Sequence, residues 1–260
     1  MSFAAFFASH GGATGHSARM LIWEQMLHQA LHLLHEAHVR ISSENGKVEL
    51  QQLDGWWRAK KSRLNGRSCQ VPSEEAISEA LWREMERIQS DIVLKVVPSN
   101  PTLASIDTLH VSLEQPRKLA TGVGKNSKPT DFRFYRIGSE FLDLRIEAKV
   151  LLREGDIKAN YLSEKGLKRF SDAKEPYTDH EVGGMVAYSV TDTGAAWLDR
   201  IEGALRIAAP PIPTFKHKIN NGVADTLFCR VPYTVLSSAR KEVLVFHIVF
   251  ELSAAPDARG

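Results

Sequence analysis

Two stretches of the chain, Asp131 to Ile137 (DFRFYRI) and Phe141 to Leu152 (FLDLRIEAKVLL), alternate apolar and polar residues with the period of two that marks a strand. Gly138-Ser139-Glu140 between them supplies a short turn, so the pair reads as a hairpin. In its second strand Leu142, Leu144, Ile146, Ala148 and Val150 share one face, while Asp143, Arg145, Glu147 and Lys149 share the other. Symmetric closure about Ser139 sets Asp131 directly opposite Glu147. Directly opposed residues of an antiparallel pair share a face, with Cβ atoms about 5 Å apart. The pattern therefore gathers two carboxylates and one lysine on the polar face of a sheet whose other face is apolar.

The same reading places the neighbouring elements. Ser73 to Gln89 is expected to be a helix with Ile77, Leu81, Met85 and Ile88 as its apolar stripe, followed by a strand over Asp91 to Val97. After the hairpin come a helix carrying Tyr161, Leu162, Gly166, Leu167, Arg169 and Phe170, a strand over Gly184 to Val190, and a helix over AAWLDRIEGALRI. Pro210-Pro211-Ile212-Pro213 then breaks the chain. Thr226 to Tyr233 and Glu242 to Leu252 read as strands, the latter apolar on both faces and suited to the middle of a sheet or to pairing with another protein. Residues 18 to 39 predict a long helix, apolar around much of its circumference (Leu21, Trp23, Met26, Leu27, Leu31, Leu34), which calls for deep burial or a partner surface. Ser253 to Gly260 read as disordered. The expected organisation is an α/β fold in three parts: an N-terminal helical extension over 1–70, a core over 71–205, and C-terminal strands over 206–260 that extend the core sheet.

Two nearby carboxylates repel unless a cation or proton lies between them. Mg²⁺ suits such a pair, because it takes one or two carboxylates and keeps its other positions for water and phosphate oxygens. Lys149 reaches the same region as a point charge able to hold a phosphate or orient an attacking water. The competing reading is a structural Asp–Lys–Glu cluster on a solvated sheet face.

Pro129-Thr130-Asp131, followed on the next strand by Glu147-Ala148-Lys149, resembles the motif of the PD-(D/E)XK nuclease superfamily. The resemblance covers about residues 73 to 205, and YLSEKGLKRF followed by GGMVAYSV is similar to the region after the motif in members from bacterial anti-phage defence systems. Thr130, standing between Pro129 and Asp131, departs from the pattern. The resemblance implies a restriction-endonuclease-like core, a central mixed β-sheet flanked by helices. It implies that Asp131 and Glu147 bind Mg²⁺ or Mn²⁺, that the Ala148 carbonyl completes the metal site, and that Lys149 assists the attacking water. Many members add a glutamate from the first helix. Glu84 lies within the apolar stripe, seven residues after Ile77, and a carboxylate facing a sheet needs a partner. Glu84 is thus the expected extra acid, with a rim salt bridge to an Arg or Lys as its alternative. Glu75 and Glu79 lie nearer the opposite face, and Glu75 complements the helix N-terminus.

With 260 residues and 43% hydrophobic content the chain can bury a large core, and a formal charge of +2 announces no nucleic acid by itself. Binding would rest on local patches. One is Trp56-Trp57-Arg58-Ala59-Lys60-Lys61-Ser62-Arg63, where aromatic and basic residues interleave; a helix end with buried tryptophans and solvated cations is the alternative. The other is Lys158, Lys165, Lys168 and Arg169, equally readable as a solvated helix face. Cys69 and Cys229 are too few for a disulfide framework and lack metal-ligand spacing. His28, His32 and His35, with Glu24 one turn earlier, read as a polar stripe, since no second cluster completes a zinc site. His10 to Ser17 (HGGATGHS) has neither the glycine spacing nor the lysine of a phosphate-binding loop. Met1 to Ser9 lacks a basic leader and no apolar stretch is long enough to span a bilayer, so a cytoplasmic chain is the simplest expectation.

These features converge on a metal-dependent nuclease acting on DNA, or alternatively RNA, as the effector subunit of a defence complex. Lacking helicase and ATPase motifs, it would take its target from substrate shape or from a partner such as a helicase or ATPase subunit. The alternative is an inactive nuclease-fold subunit serving nucleic-acid binding or assembly.

Overall fold

A computed structural model describes residues 3–8, 16–43, 46, 60–64, 67–71, 73–94, 106–115, 130–136, 142–219, 226–233 and 242–252. The elements are α1 (Phe3–Ala8), α2 (His16–Ser42), β1 (Lys60–Leu64), β2 (Arg67–Val71), α3 (Glu74–Val93), β3 (Leu109–Gln115), β4 (Thr130–Arg136), β5 (Leu142–Leu151), β6 (Val182–Ser189), α4 (Gly194–Arg206), β7 (Thr214–His217), β8 (Thr226–Pro232) and β9 (Glu242–Glu251). Between β5 and β6 the chain makes two short helical turns, Ile157–Tyr161 and Leu167–Ser171.

Seven strands form one mixed sheet in the order β3-β4-β5-β6-β9-β8-β7. The β3–β4–β5 meander is antiparallel, β5, β6 and β9 run parallel, and β8 and β7 return antiparallel. The fold is α/β, a mixed sheet covered by helices on both faces. One face carries Phe132, Phe134, Leu144, Ile146, Val186 and Phe246 and packs against α1, α2 and α3. The other carries Met185, Ala187, Cys229 and Val245 and packs against the two short turns and α4. β9, apolar on both faces, lies between β6 and β8. α2 spends most of its apolar circumference inside this core: Trp23, Met26, Leu27, Ala30, Leu33, Leu34 and Ala37 are fully buried, while Leu21 and Val39 are exposed. Deep burial, the first of the two expectations for this helix, accounts for its composition. Among the described residues, no helix is long and apolar enough to cross a membrane.

Three expected elements differ. The strand placed at Asp91–Val97 is, as far as Val93, the last turn of α3, and residues 95–97 lie outside the described residues. The first strand of the meander is instead β3. The helix expected around Tyr161–Phe170 is two separate short turns, with Gly166 between them. A Cβ on Gly166 would sit 2.2 Å from the Tyr161 carbonyl oxygen, so the two turns meet at a position only glycine fills. Lys60 to Leu64, read as belonging to a basic patch or a helix end, is a strand paired with β2. The side chains of Lys60, Lys61, Arg63 and Cys69, the Trp56-Trp57 segment, the turn at Gly138-Ser139-Glu140, Pro129, and Ser253–Gly260 lie outside the described residues.

Inside the second core layer one polar line is sealed from solvent. The Tyr161 hydroxyl lies 3.0 Å from His247 Nδ1, and His247 Nε2 lies 3.1 Å from Cys229 Sγ. Burial pushes the His247 imidazole down to about 3, so it stays neutral. The line satisfies buried polar groups between sheet and helices.

Gly183 and Gly184 explain how the aromatic rings reach the sheet. A Cβ at Gly184 would stand 2.2 Å from the Phe246 ring, and one at Gly183 would stand 2.3 Å from the Phe170 ring. Both rings are fully buried and cannot withdraw. Gly184→Ala is therefore expected to cost about 1–3 kcal/mol by overpacking. At about 2–4 °C per kcal/mol for a chain of this size, differential scanning calorimetry should show a clearly lowered Tm.

Candidate functional site

The site forms where β4 and β5 part. Their ladder runs from Arg136↔Leu142 to Phe132↔Ile146, the register of symmetric closure about Ser139, and ends there. Past Ile146, β5 keeps its parallel partner β6 but has lost β4, so its backbone groups on that side need other partners. Carboxylates supply them. The Ala148 N–H donates to Asp131 Oδ2 at 2.7 Å, and the Val150 N–H donates to Glu74 Oε2 at 3.2 Å. The Ala148 carbonyl accepts from Lys149 Nζ at 2.6 Å.

Glu74 comes from the first turn of α3. Ser73 caps this helix, accepting from the Ala76 N–H at 3.1 Å, and Glu74 and Glu75 follow in the turn where the helix dipole favours negative charge. Ser78, one turn on, bonds the buried Tyr188 hydroxyl at 2.9 Å and fixes the helix end against β6. Lys149 Nζ sits 2.8 Å from Glu74 Oε1 and 2.7 Å from Glu147 Oε1. The Tyr177 hydroxyl donates to Glu147. Oxygen atoms of Glu74, Asp131 and Glu147 all lie within 4.8 Å of one another, the one such grouping among the described residues.

Electrostatically the cluster is tense. Loss of solvent, with the Glu147 charge adding to it, holds the Asp131 carboxyl well above the usual range. Loss of solvent likewise raises Glu147, with Lys149 pulling the other way. Burial alone would lower Lys149, but Glu147, Glu74 and Asp131 together raise it, so it keeps its proton. Three carboxylates thus share one ammonium. The donor set is hard oxygen throughout, three carboxylates and the Ala148 carbonyl, and it fits a divalent ion such as Mg²⁺ or Mn²⁺. The polar face of β5 is not solvated: Asp143, Arg145 and Glu147 are buried, against the alternative of an exposed surface cluster.

Asp131, Glu147, Ala148 and Lys149 are thus brought together. Glu84 is not. It lies on the buried side of the helix, as its spacing predicts, but ten residues beyond Glu74, about 15 Å along the helix axis. There it pairs with Arg87 at 2.5 Å and Arg40 of α2 at 3.8 Å, the rim salt bridge given as its alternative. The helix acid at the site is Glu74. It stands three, seven and eleven residues before Ile77, Leu81 and Met85, on the same stripe, and this spacing was the available signal. Tyr177 left no such signal, since it arrives from the irregular segment before β6. Arg169, expected to bind nucleic acid, is buried, paired with Asp172 at 3.4 Å and Glu175 at 3.3 Å, with its guanidinium 5.6 Å from the Tyr177 ring. It braces Tyr177 rather than a phosphate. Lys158 and Lys165 are exposed, and Lys168 is exposed with Glu164 3.4 Å away. His28 and His32 are partly buried, and burial lowers both below the ordinary imidazole range.

Comparison with family models, with curated proteins and with solved structures returns no match.

The raised acids give the site a pH signature. A carboxyl whose folded-state pKa lies above its unfolded value holds its proton longer in the folded chain. Stability is then greatest below the unfolded value, near pH 4, and is lost as pH rises through the folded value. The imidazoles of His247, His28 and His32, lowered by burial, act in the opposite sense, so the acids show as a difference between chains: in EDTA the wild type should lose Tm relative to Asp131→Asn as pH rises from 4 to 8. Asp131→Asn, which keeps an acceptor for the Ala148 N–H, should melt above the wild type at pH 8. Mg²⁺ should stabilise the wild type and leave Asp131→Asn nearly unchanged. Thermal melts across pH with and without metal test all three outcomes.

Proposed function

We propose that the chain is a metal-dependent nuclease, hydrolysing phosphodiester bonds of DNA or RNA at the parting of β4 and β5. The observation that carries this reading is the convergence of Glu74, Asp131, Glu147, the Ala148 carbonyl and the protonated Lys149 on one sheet edge. The three carboxylates and the carbonyl would hold Mg²⁺ or Mn²⁺, which supplies Lewis-acid polarisation of a phosphate and lowers the pKa of a bound water.

The chain's own residues divide the remaining work. Asp131 is aimed by the Ala148 N–H, Glu74 by the Val150 N–H and Glu147 by the Tyr177 hydroxyl, so the acids are oriented before substrate arrives. Lys149, held protonated by its acidic neighbours, is a donor and not a base. Its ammonium would bind a non-bridging phosphate oxygen, stabilise the charge growing there and orient the attacking water. The antiparallel β3–β4–β5 meander, with β6 parallel beside it, supports this reading, since a restriction-endonuclease-like core implies such an arrangement. With no motor motif in the sequence, target choice would come from substrate shape or from a partner such as a helicase or ATPase subunit of a defence complex.

Cleavage of circular and linear DNA by the purified chain, compared in Mg²⁺, Mn²⁺ and EDTA, tests the proposal. Cutting should require metal and fall by about 10²–10³-fold in Lys149→Ala. Glu74→Gln should lose about 10–100-fold, while Glu84→Gln should cut like the wild type. Metal-independent cutting, or equal cutting by Lys149→Ala, would defeat the assignment.

A further inference from the structure

The Lys149 ammonium stands among the oxygens that a divalent ion would need. Its three N–H donors meet three acceptors: Glu147 Oε1 at 2.7 Å, Glu74 Oε1 at 2.8 Å and the Ala148 carbonyl at 2.6 Å. All three acceptors belong to the donor set that fits Mg²⁺ or Mn²⁺. The other carboxylate oxygens give an ion no way round the lysine. Glu74 uses Oε2 for the Val150 N–H, at 3.2 Å, and Asp131 uses Oδ2 for the Ala148 N–H, at 2.7 Å. Those bonds replace the ladder that β5 has lost, and breaking them would orphan its backbone. The Glu74 oxygen left for an ion is therefore Oε1, and the ammonium holds it.

Charge points the same way. Lys149 is buried apart from 11% of its side chain, and it keeps its proton because three acids surround it. An ammonium and a divalent ion on the same oxygens would repel strongly, since a buried site screens charge poorly. An ammonium pushed off the carboxylates needs another anion, because a charge left buried without a partner is costly. The proposed reaction brings one, the substrate phosphate. The four-carbon stem of the lysine is flexible enough to turn its head from carboxylate to phosphate.

We propose that Lys149 is a built-in counter-cation: in the free chain it competes with the divalent ion for Glu74, Glu147 and the Ala148 carbonyl, and a substrate phosphate draws it away. The proposal rests on the metal reading of the cluster. Ion and phosphate then bind cooperatively, each raising the affinity for the other by the same factor. The free chain holds metal weakly, with an ion pair in its place, and the centre loads when the phosphate arrives.

Titration of Mn²⁺ into the full chain, with free Mn²⁺ followed by electron paramagnetic resonance, tests this. Lys149→Met keeps the stem and removes the charge, and it should bind Mn²⁺ at least about tenfold more tightly than the wild type. A lysine that merely supports the site predicts the opposite sign, since its loss would let three acids splay apart and weaken the metal. Saturating thymidine 5′-monophosphate brings a phosphate with no internucleotide bond to cut. It should tighten Mn²⁺ binding by about tenfold in the wild type and by less than about twofold in Lys149→Met. Equal or weaker Mn²⁺ binding by Lys149→Met, or equal effects of the nucleotide on both chains, would overturn the counter-cation. Should Lys149→Met fail to fold, the wild type decides alone: an Mn²⁺ affinity unmoved by the nucleotide overturns it. Absence of Mn²⁺ binding in both chains would remove the metal reading together with this inference. Absence of DNA cleavage by a chain that shows the coupling would remove the nuclease reading and leave this result standing.

Discussion

The parting of two strands is the constraint from which the rest follows. Up to Phe132↔Ile146, β4 and β5 satisfy each other's backbone. Beyond that point β5 continues as an interior strand beside β6, and the Ala148 and Val150 N–H groups have lost their ladder. Asp131 and Glu74 take those N–H groups, and in doing so they converge on Glu147. Backbone satisfaction, an ordinary requirement of folding, here assembles a cluster of like charges.

Holding that cluster works against stability. Burial raises the two strand acids, and their mutual repulsion adds to it for Asp131. Lys149 offsets the repulsion in part, bonded at once to Glu74, Glu147 and the Ala148 carbonyl. The surroundings are rigid enough to sustain the arrangement. α3 is fixed at its start by the Ser73 cap and the Ser78–Tyr188 bond, Arg169 braces Tyr177, and both faces of β5 and β6 are packed. Charge concentrated against the fold's own preference is a mark of sites built for a cation or a charged substrate.

Much of this was legible in the residue pattern. The alternation in DFRFYRI and FLDLRIEAKVLL determines the hairpin and its register, because a slip of one residue would turn Ile146 and Phe134 out of the core. β9 was readable from its two apolar faces. DIVLKVV predicts a strand because it is as apolar as a buried one, while its first residues complete the turns of α3. Helical periodicity points to Glu84 and passes over Glu74 because it fixes the angle of a residue about the axis and says nothing of how far along the axis a site lies. Arg169 reads as a phosphate ligand because only Asp172, three residues on, is a local partner; Glu175 and Tyr177 come round it in the folded segment before β6.

The central claim, that this strand parting holds a divalent ion through Glu74 as well as the two strand acids, is tested most directly by a crystal grown with Mn²⁺ and measured at the manganese absorption edge. The account predicts an anomalous peak bound by Glu74, Asp131, Glu147 and the Ala148 carbonyl, with the Lys149 ammonium moved off those oxygens. A structure without a peak there, with Lys149 still bonded to Glu74 and Glu147, would contradict it.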